Sequence, residues 1–227
     1  MSASEKPLGL PFPTIRRYPL YLRAINEKIA QGELFVSSAV LARELGIDPV
    51  VARKDLAMAG EPGTPRRGYP AKELTEAINR ALGWDNTTDA ALVGVGSLGH
   101  ALLGYQGFKE QNLSIGVAFD NDPSLVGSVC HGVQVWDVST LVDTVSRLKL
   151  KLGILTVPNA AAQACADMLV EAGVRGIWNF TAVQLSVPRN VNVQRVDLAA
   201  SLAVLSHEIA TNATGRGGVT RGRPAAP

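Results

Sequence analysis

The sequence predicts an α/β fold in two domains: an N-terminal winged helix-turn-helix domain, then a Rossmann-like doubly wound parallel sheet. Three observations predict it. Through residues 14–82 apolar residues recur at three- and four-residue spacing, broken by helix caps and glycine stops. From residue 90 short apolar runs alternate with helical stretches, the pattern of a parallel sheet with helices on both faces. Between the two, Gly94-Val95-Gly96-Ser97-Leu98-Gly99 matches G-x-G-x-x-G more than ninety residues into the chain. A nucleotide turn set behind a helical module suggests a sensor rather than a catalyst.

Composition sets the outer limits. At 227 residues and 46% hydrophobic content the chain can bury two cores. No apolar run approaches the ~18 residues of a membrane span, and Met1–Phe12 carries Glu5 and Lys6 without an apolar core, so neither membrane anchor nor signal peptide is expected. A cytoplasmic protein is expected, with Cys130 and Cys165 as reduced, buried thiols outside any ligand or C-x-x-C spacing. The net charge of +2 is unevenly placed: residues 1–82 hold 12 Lys+Arg against 9 Asp+Glu, residues 83–213 hold 7 against 11, and the tail adds Arg216, Arg221 and Arg223. That balance suits nucleic-acid contact by the first segment alone.

The N-terminal elements follow from local signals. Pro7, Gly9, Pro11 and Pro13 make residues 1–12 a flexible arm. A helix from Thr14 carries Ile15, Tyr18, Leu22, Ile25 and Ile29 and ends at Gly32. Ser37 or Ser38 caps a short second helix that Gly46 stops, and Asp48-Pro49 opens a third. Helix, glycine turn and Asp-Pro start give a helix-turn-helix. The basic loop 61–69 has the character of a wing, and a helix over 71–82 closes a domain spanning 13–82.

Gly83–Asp89 is the candidate linker into a Rossmann domain over 83–196. Strands are expected at 90–95, 114–120, 133–136, 152–157, 176–179 and 191–196, and helices at 97–106, 138–148 and 159–172. Leu198, Leu202, Leu205 and Ile209 form the apolar stripe of a last helix over 197–213. Residues 214–227, rich in Gly, Arg and Pro, are expected to be disordered.

The fingerprint stands where its physics works. Gly94 and Gly96 permit a tight turn and close backbone approach to a pyrophosphate; Gly99 allows tight helix–strand packing. The cofactor site is assigned to Gly94, Val95, Gly96, Ser97, Leu98, Gly99, Asp120, Asn121, Thr156, Val157 and Pro158, with Tyr105 from the resemblance below. Asp120 ends the next strand, where its carboxylate can accept the adenine ribose hydroxyls; its charge repels a 2′-phosphate and favours NAD(H). A glycine turn without a dinucleotide, or coenzyme A or another adenine nucleotide, are the competing readings. His100 either reaches a phosphate or is a solvated helix-start histidine. Val157-Pro158 either packs on the nicotinamide-side ribose or simply begins a helix. An enzyme would need an acid or base and a substrate domain. Only His100, His131 and His207 are available, in no evident pairing, and no metal site is expected.

In the third helix Val51 and Leu56 are expected to face the core, leaving Arg53 and Lys54 free for bases or phosphates in a major groove. Ser37 and Ser38 at the preceding helix start, and Arg66 and Arg67 in the wing, complete the candidate DNA-binding set. A solvated face in a protein-interaction domain is the alternative.

Several stretches in order resemble Rex, the bacterial redox-sensing transcriptional repressor family that reads the NADH/NAD+ balance. They are Pro-Leu-Tyr-Leu-Arg at 19–23, Ala-Arg-Lys-Asp-Leu at 52–56, the glycine turn at 93–99 and Phe-Asp-Asn-Asp-Pro at 119–123. Further on come Val-Pro-Asn-Ala-Ala-Ala-Gln at 157–163, Gly-Ile-Trp-Asn-Phe at 176–180 and Val-Asp-Leu-Ala at 196–199. The resemblance implies a homodimer on palindromic operator DNA, bound with NAD+ and released by NADH, with the last helix domain-swapped between subunits. It also implies a switch formed by Arg23, Tyr105 and Asp197. The chain departs from the family at Ala57-Met58-Ala59-Gly60, usually Ser-Tyr-Phe-Gly, and at Thr64-Pro65-Arg66-Arg67-Gly68-Tyr69, usually near Lys-Arg-Gly-Val-Gly-Tyr. Leu198 stands where an aromatic often follows the Asp.

Overall fold

A computed structural model describes residues 9–84 and 88–214, which fall into two compact units on either side of the expected linker. Residues 1–8 of the expected arm, 85–87 of the expected linker and 215–227 of the expected tail lie outside the described residues.

The first unit holds four helices, α1 (Phe12–Ala30), α2 (Ser38–Leu45), α3 (Pro49–Met58) and α4 (Ala71–Leu82), with two short antiparallel strands, β1 (Phe35–Val36) and β2 (Tyr69–Pro70). The first helix begins at Phe12 rather than Thr14, because Pro13 suits a first turn that needs no N–H. Gly46 and Gly83 close α2 and α4 in left-handed conformation (φ 66° and 72°). Tyr18, Tyr21, Ile25, Leu41, Leu56, Leu74 and Ile78 form a sealed core between the helices. One expectation is corrected: Val51 is only half-buried, while Ala52 and Asp55 join Leu56 inside. The inward stripe of α3 therefore runs through Ala52, Asp55 and Leu56, at i, i+3 and i+4.

The second unit is a seven-stranded sheet: β3 (Thr88–Val93), β4 (Leu113–Asp120), β5 (Val129–Cys130), β6 (Val133–Asp137), β7 (Leu152–Leu155), β8 (Gly176–Asn179) and β9 (Asn192–Arg195). Its order is β5-β6-β4-β3-β7-β8-β9, parallel except for the edge strand β5. Leaving β5 aside, this is the 3-2-1-4-5-6 order of the doubly wound fold, with the reversal at β3. The helices are α5 (Ser97–Leu103), α6 (Gly107–Glu110), α7 (Leu141–Leu148), α8 (Ala162–Glu171) and α9 (Leu198–Thr214). Val145, Leu150, Leu155, Leu169 and Val174 fill the core beneath α7 and α8, and a second cluster around Leu92, Ala118, Val135 and Ile154 takes in Leu102 and Leu103 of α5.

Five expected elements change. The strand over 90–95 runs instead from Thr88 to Val93. The helix over 97–106 ends at Leu103, where Gly104 caps it, and α6 starts again at Gly107. The helices over 138–148 and 159–172 each open with a 3-10 turn. The strand over 152–157 stops at Leu155, where the chain turns into Pro158. The strands β1, β2 and β5, of two residues each, are too short to show a period.

Candidate nucleotide and nucleic-acid sites

The glycine turn leaves the carboxyl end of β3, the strand at which the sheet order reverses. In open α/β sheets ligands lie in the crevice at that point. Three glycines do three different things there. Gly94 has φ 97°, and a Cβ on it would stand 2.9 Å from the Thr156 carbonyl and from Val157 Cγ1. A Cβ on Gly99 would collide with the Gly94 carbonyl oxygen. Gly96 is the opposite case: nothing lies within 4 Å of the position its Cβ would take, and its extended backbone opens to solvent. Two glycines are thus fixed by packing, while the third leaves room for a ligand.

The turn is tied down on both sides. The Gly94 N–H donates to Phe119 O (2.8 Å), the Thr156 N–H to Val93 O (2.9 Å) and the Thr156 hydroxyl to Gly94 O (2.7 Å). Asp120 adds the strongest clamp. Its Oδ2 accepts the Val95 N–H at 2.6 Å, and its Oδ1 accepts the N–H groups of Asn121 (2.7 Å) and Asp122 (2.9 Å). The expected ribose acceptor is therefore first a scaffold, although Oδ2 keeps a lone pair for a further donor. Asn121, Ser97, Leu98 and Pro158 are exposed around the turn, and Val157 is half-buried. Both cysteines are free, and burial pushes both thiols up; the Asp120 charge adds to the shift at Cys165.

Three amides in the family-like stretches prove to be fasteners that sequence reasoning gave no role. Gln163 holds Ser186 from both ends, donating to its carbonyl (2.9 Å) and accepting its N–H (2.9 Å). Asn159 accepts the Ala182 N–H, and the fully buried Asn179 bonds both Thr181 and Val183. These bonds hold the irregular connection between β8 and β9. Polar residues inside apolar stretches were the available signal.

Tyr105 follows α5, is 57% exposed and rests edge-on against Phe108 at 4.9 Å. Asp197 pairs with Arg195 (3.1 Å) and accepts the Ala200 N–H at the start of α9. Arg23 pairs with Glu27 (3.4 Å), one turn along α1. Along α9 Leu202, Val204, Leu205 and Ile209 are exposed, and an apolar groove of about 460 Å³ opens over β7–β9 beside Leu152, Trp178 and Val193.

In the first unit Ser37 N-caps α2 through the Ala39 N–H, with Ser38 as its first residue. Asp48 caps α3 by accepting from Val50 and Val51. Arg53 and Lys54 are exposed on α3. Arg66, in left-handed conformation (φ 65°), is exposed in the wing, whose closure depends on Gly68: a Cβ there would strike the Val36 carbonyl. Arg67 stacks on the Phe35 ring at 4.1 Å, so it is positioned by a cation–π contact from β1 that sequence reasoning did not foresee. The second unforeseen residue is Asp55, whose buried carboxylate accepts from Thr14 (2.9 Å), Arg17 (2.6 and 2.8 Å) and Tyr21 (3.0 Å) while its carbonyl accepts from Tyr18 (3.0 Å). It locks the base of the recognition-type helix onto α1.

The histidines also need correction. His100 and His131, expected to be unpaired, have ring centroids 4.7 Å apart, and Cys130 joins them with all ligand-type atoms within 4.8 Å of one another. A separation of some thirty residues hid the grouping.

Comparison with known proteins places these features in a family. The profile described as "Putative DNA-binding protein N-terminus" matches residues 9–57, and that of the "CoA binding domain" matches residues 85–183. The chain is 42% identical over 193 residues to the redox-sensing transcriptional repressor Rex of Treponema denticola, covering 85% of this chain and 92% of that protein. It matches the Rex-family repressor RSP in complex with β-NAD+ and operator DNA with TM-score 0.82 at 33% identity, covering 92% of this chain and 99% of that one. RSP in complex with β-NADH matches with TM-score 0.80 at 33% identity, over 91% and 97% of the two chains. With the 3-2-1-4-5-6 sheet, the clamped glycine turn and a helical N-terminal unit on one chain, these likenesses lead to one conclusion: the protein belongs to the Rex family of redox-sensing transcriptional repressors.

Proposed function

We propose that the protein is a homodimeric, non-catalytic repressor that senses the NADH/NAD+ ratio in the cytoplasm, binding palindromic operator DNA with NAD+ and releasing it with NADH. The observation that carries this reading is the glycine turn clamped by Asp120 at the point where the sheet order reverses. It sits in a chain that also carries a winged helical unit with Arg53 and Lys54 exposed on α3. The relative RSP is described with β-NAD+ and operator DNA, and separately with β-NADH.

Each residue has a role. The open Gly96 turn and the N–H groups of Ser97 and Leu98 receive the pyrophosphate, and Oδ2 of Asp120 accepts from the adenine ribose. Asn121, Thr156, Val157 and Pro158 line the crevice, with Tyr105 on the nicotinamide side. Arg53, Lys54, Arg66 and Arg67 meet the duplex together with the helix start at Ser37 and Ser38. The apolar stripe of α9 is swapped onto a second subunit, covering a face that water otherwise meets. Asp197 pairs with Arg195 and Arg23 with Glu27 in the described structure. Exchange of these partners for an Asp197–Arg23 pair in one ligand state biases the switch. No helix among the described residues is long and apolar enough to cross a membrane.

The match to the CoA binding domain profile favours one second reading, a regulator of the same architecture that answers to coenzyme A. A gel shift on the protein's own promoter, with and without NADH, separates it from the first. NADH should release the DNA; binding that NADH leaves unchanged, with coenzyme A titrating calorimetrically instead, would establish the second.

A further inference from the structure

We propose that His100, Cys130 and His131 form a binding site for a borderline-soft divalent cation of the zinc type. The two imidazoles and the thiol come from separate elements. His100 lies in the first turns of α5, Cys130 ends β5, and His131 is in the tight turn to β6. Their ligand-type atoms all lie within 4.8 Å of one another. Tetrahedral Zn²⁺ with bonds of ~2.0–2.3 Å sets its ligands roughly 3.3–3.8 Å apart, so side-chain rotation on the order of 1 Å closes the set. Both histidines are exposed and can make that rotation, whereas Cys130 is buried and fixed.

The surroundings fit a ligand set better than a chance surface cluster. The β5–β6 turn has φ 50° at His131 and 86° at Gly132, the two consecutive left-handed positions of a type I′ hairpin. Gly or Asn is the commonest occupant of the first, and His, which with Asn and Asp is enriched at such positive φ, holds it here at some backbone cost. That conformation lays the His131 ring over Gly104: a Cβ on Gly104 would stand 2.8 Å from the ring. The bare glycine at the end of α5 lets the ring reach His100, at 70° between the ring planes.

Two imidazoles and a thiolate are the donor set of zinc and its congeners; Mg²⁺ and Ca²⁺ require oxygen. On binding, the Cys130 S–H bond breaks, the proton leaves to solvent and the sulfur lone pair forms the metal bond; no redox change occurs. Three protein ligands leave a fourth position for water. The ion would join α5, whose start carries the glycine turn, to the β5–β6 hairpin. This inference does not depend on the ligand assigned to that turn.

Co²⁺ provides the test, as a zinc substitute with visible d–d bands and a near-ultraviolet thiolate charge-transfer band. The full-length, untagged protein, kept reduced with a phosphine, is titrated with Co²⁺ and then with competing Zn²⁺. We expect about one tightly bound Co²⁺ per chain with tetrahedral d–d intensity and the charge-transfer band, displaced by Zn²⁺. Cys130→Ser should abolish the charge-transfer band, and Cys165→Ser should keep it. His131→Asn is the informative variant, because Asn tolerates the left-handed turn while removing a ligand. It should lower Co²⁺ affinity by at least about tenfold with an unchanged circular dichroism spectrum. Absence of the charge-transfer band in the parent would overturn the proposal. So would its survival in Cys130→Ser, its loss in Cys165→Ser, or unaltered affinity in His131→Asn.

Discussion

Replacing Asp55 with Ala should strongly destabilise the DNA-binding unit while sparing the nucleotide-binding one. The carboxylate holds three side chains, two of them out of reach of water: Tyr21 is 0% exposed and Thr14 is 3% exposed. Each buried hydroxyl left without its acceptor costs about 1–3 kcal/mol. Arg17, whose side chain is 16% exposed, can turn partly to solvent and loses less. The sum is on the order of 3–5 kcal/mol, which agrees with the usual effect of removing one partner from a buried ion pair. For a unit of this size that lowers Tm by roughly 15–30 °C, a large share of a small domain's ~5–15 kcal/mol. Hydrogen exchange resolved along the chain, run beside a urea titration, is the suitable assay. Amides of α1, α3 and α4 should lose protection while those of β3, β4 and β7 retain it. A loss below about 1 kcal/mol, or protection lost equally in both units, would show that the network is not the lock described.

Other outcomes follow from the same geometry. Burial, then the Asp55 charge, pushes the Tyr18 hydroxyl from 10.0 up to about 12, so the unfolded chain releases that proton first. That contribution to the stability of the N-terminal unit is therefore fully present below pH 10 and falls from there to about 12; Tyr18→Phe should make the slope shallower in alkaline melts, the rest coming from buried Tyr21, whose hydroxyl is also pushed up. Gly96→Ala adds a methyl where nothing lies within 4 Å, so Tm should hold while calorimetric NADH affinity drops about tenfold or more, near 1.4 kcal/mol. Arg53→Ala should cost about 1–3 kcal/mol of operator affinity in gel shifts and relax discrimination at one base pair, leaving NADH binding unchanged.

Much of the fold was legible because its signals are local. Asp48-Pro49, Gly46 and Gly83 act through their own backbone, and each terminates or starts a helix where expected. The glycine turn was equally readable, since strand, turn and following carboxylate lie within one stretch of chain. What stayed hidden depends on partners distant in sequence. Asp55 looked like another polar residue on a basic helix until Thr14, Arg17 and Tyr21 converged on it from about forty residues away. Val51 is expected in the core beside Leu56, yet the helix phase turns Ala52 inward and leaves Val51 half-buried. Asp120 reads from sequence as a ribose acceptor and a charge, whereas its bond to the Val95 N–H exists only when β3 and β4 lie side by side.

The position of β3 between β4 and β7 sets a schedule for the growing chain. The core of the first unit is complete once α4 has been made, at Leu82. The glycine turn is not fastened on both sides until Thr156, seventy-four residues later, reaches the Val93 carbonyl. At about 5–20 residues per second of synthesis, that gap lasts roughly 4–15 s. During it each new molecule carries a finished reader and no working sensor. On the proposed homodimeric reading, premature contact with DNA is then limited by what a single reader lacks, since a palindromic site rewards two at once.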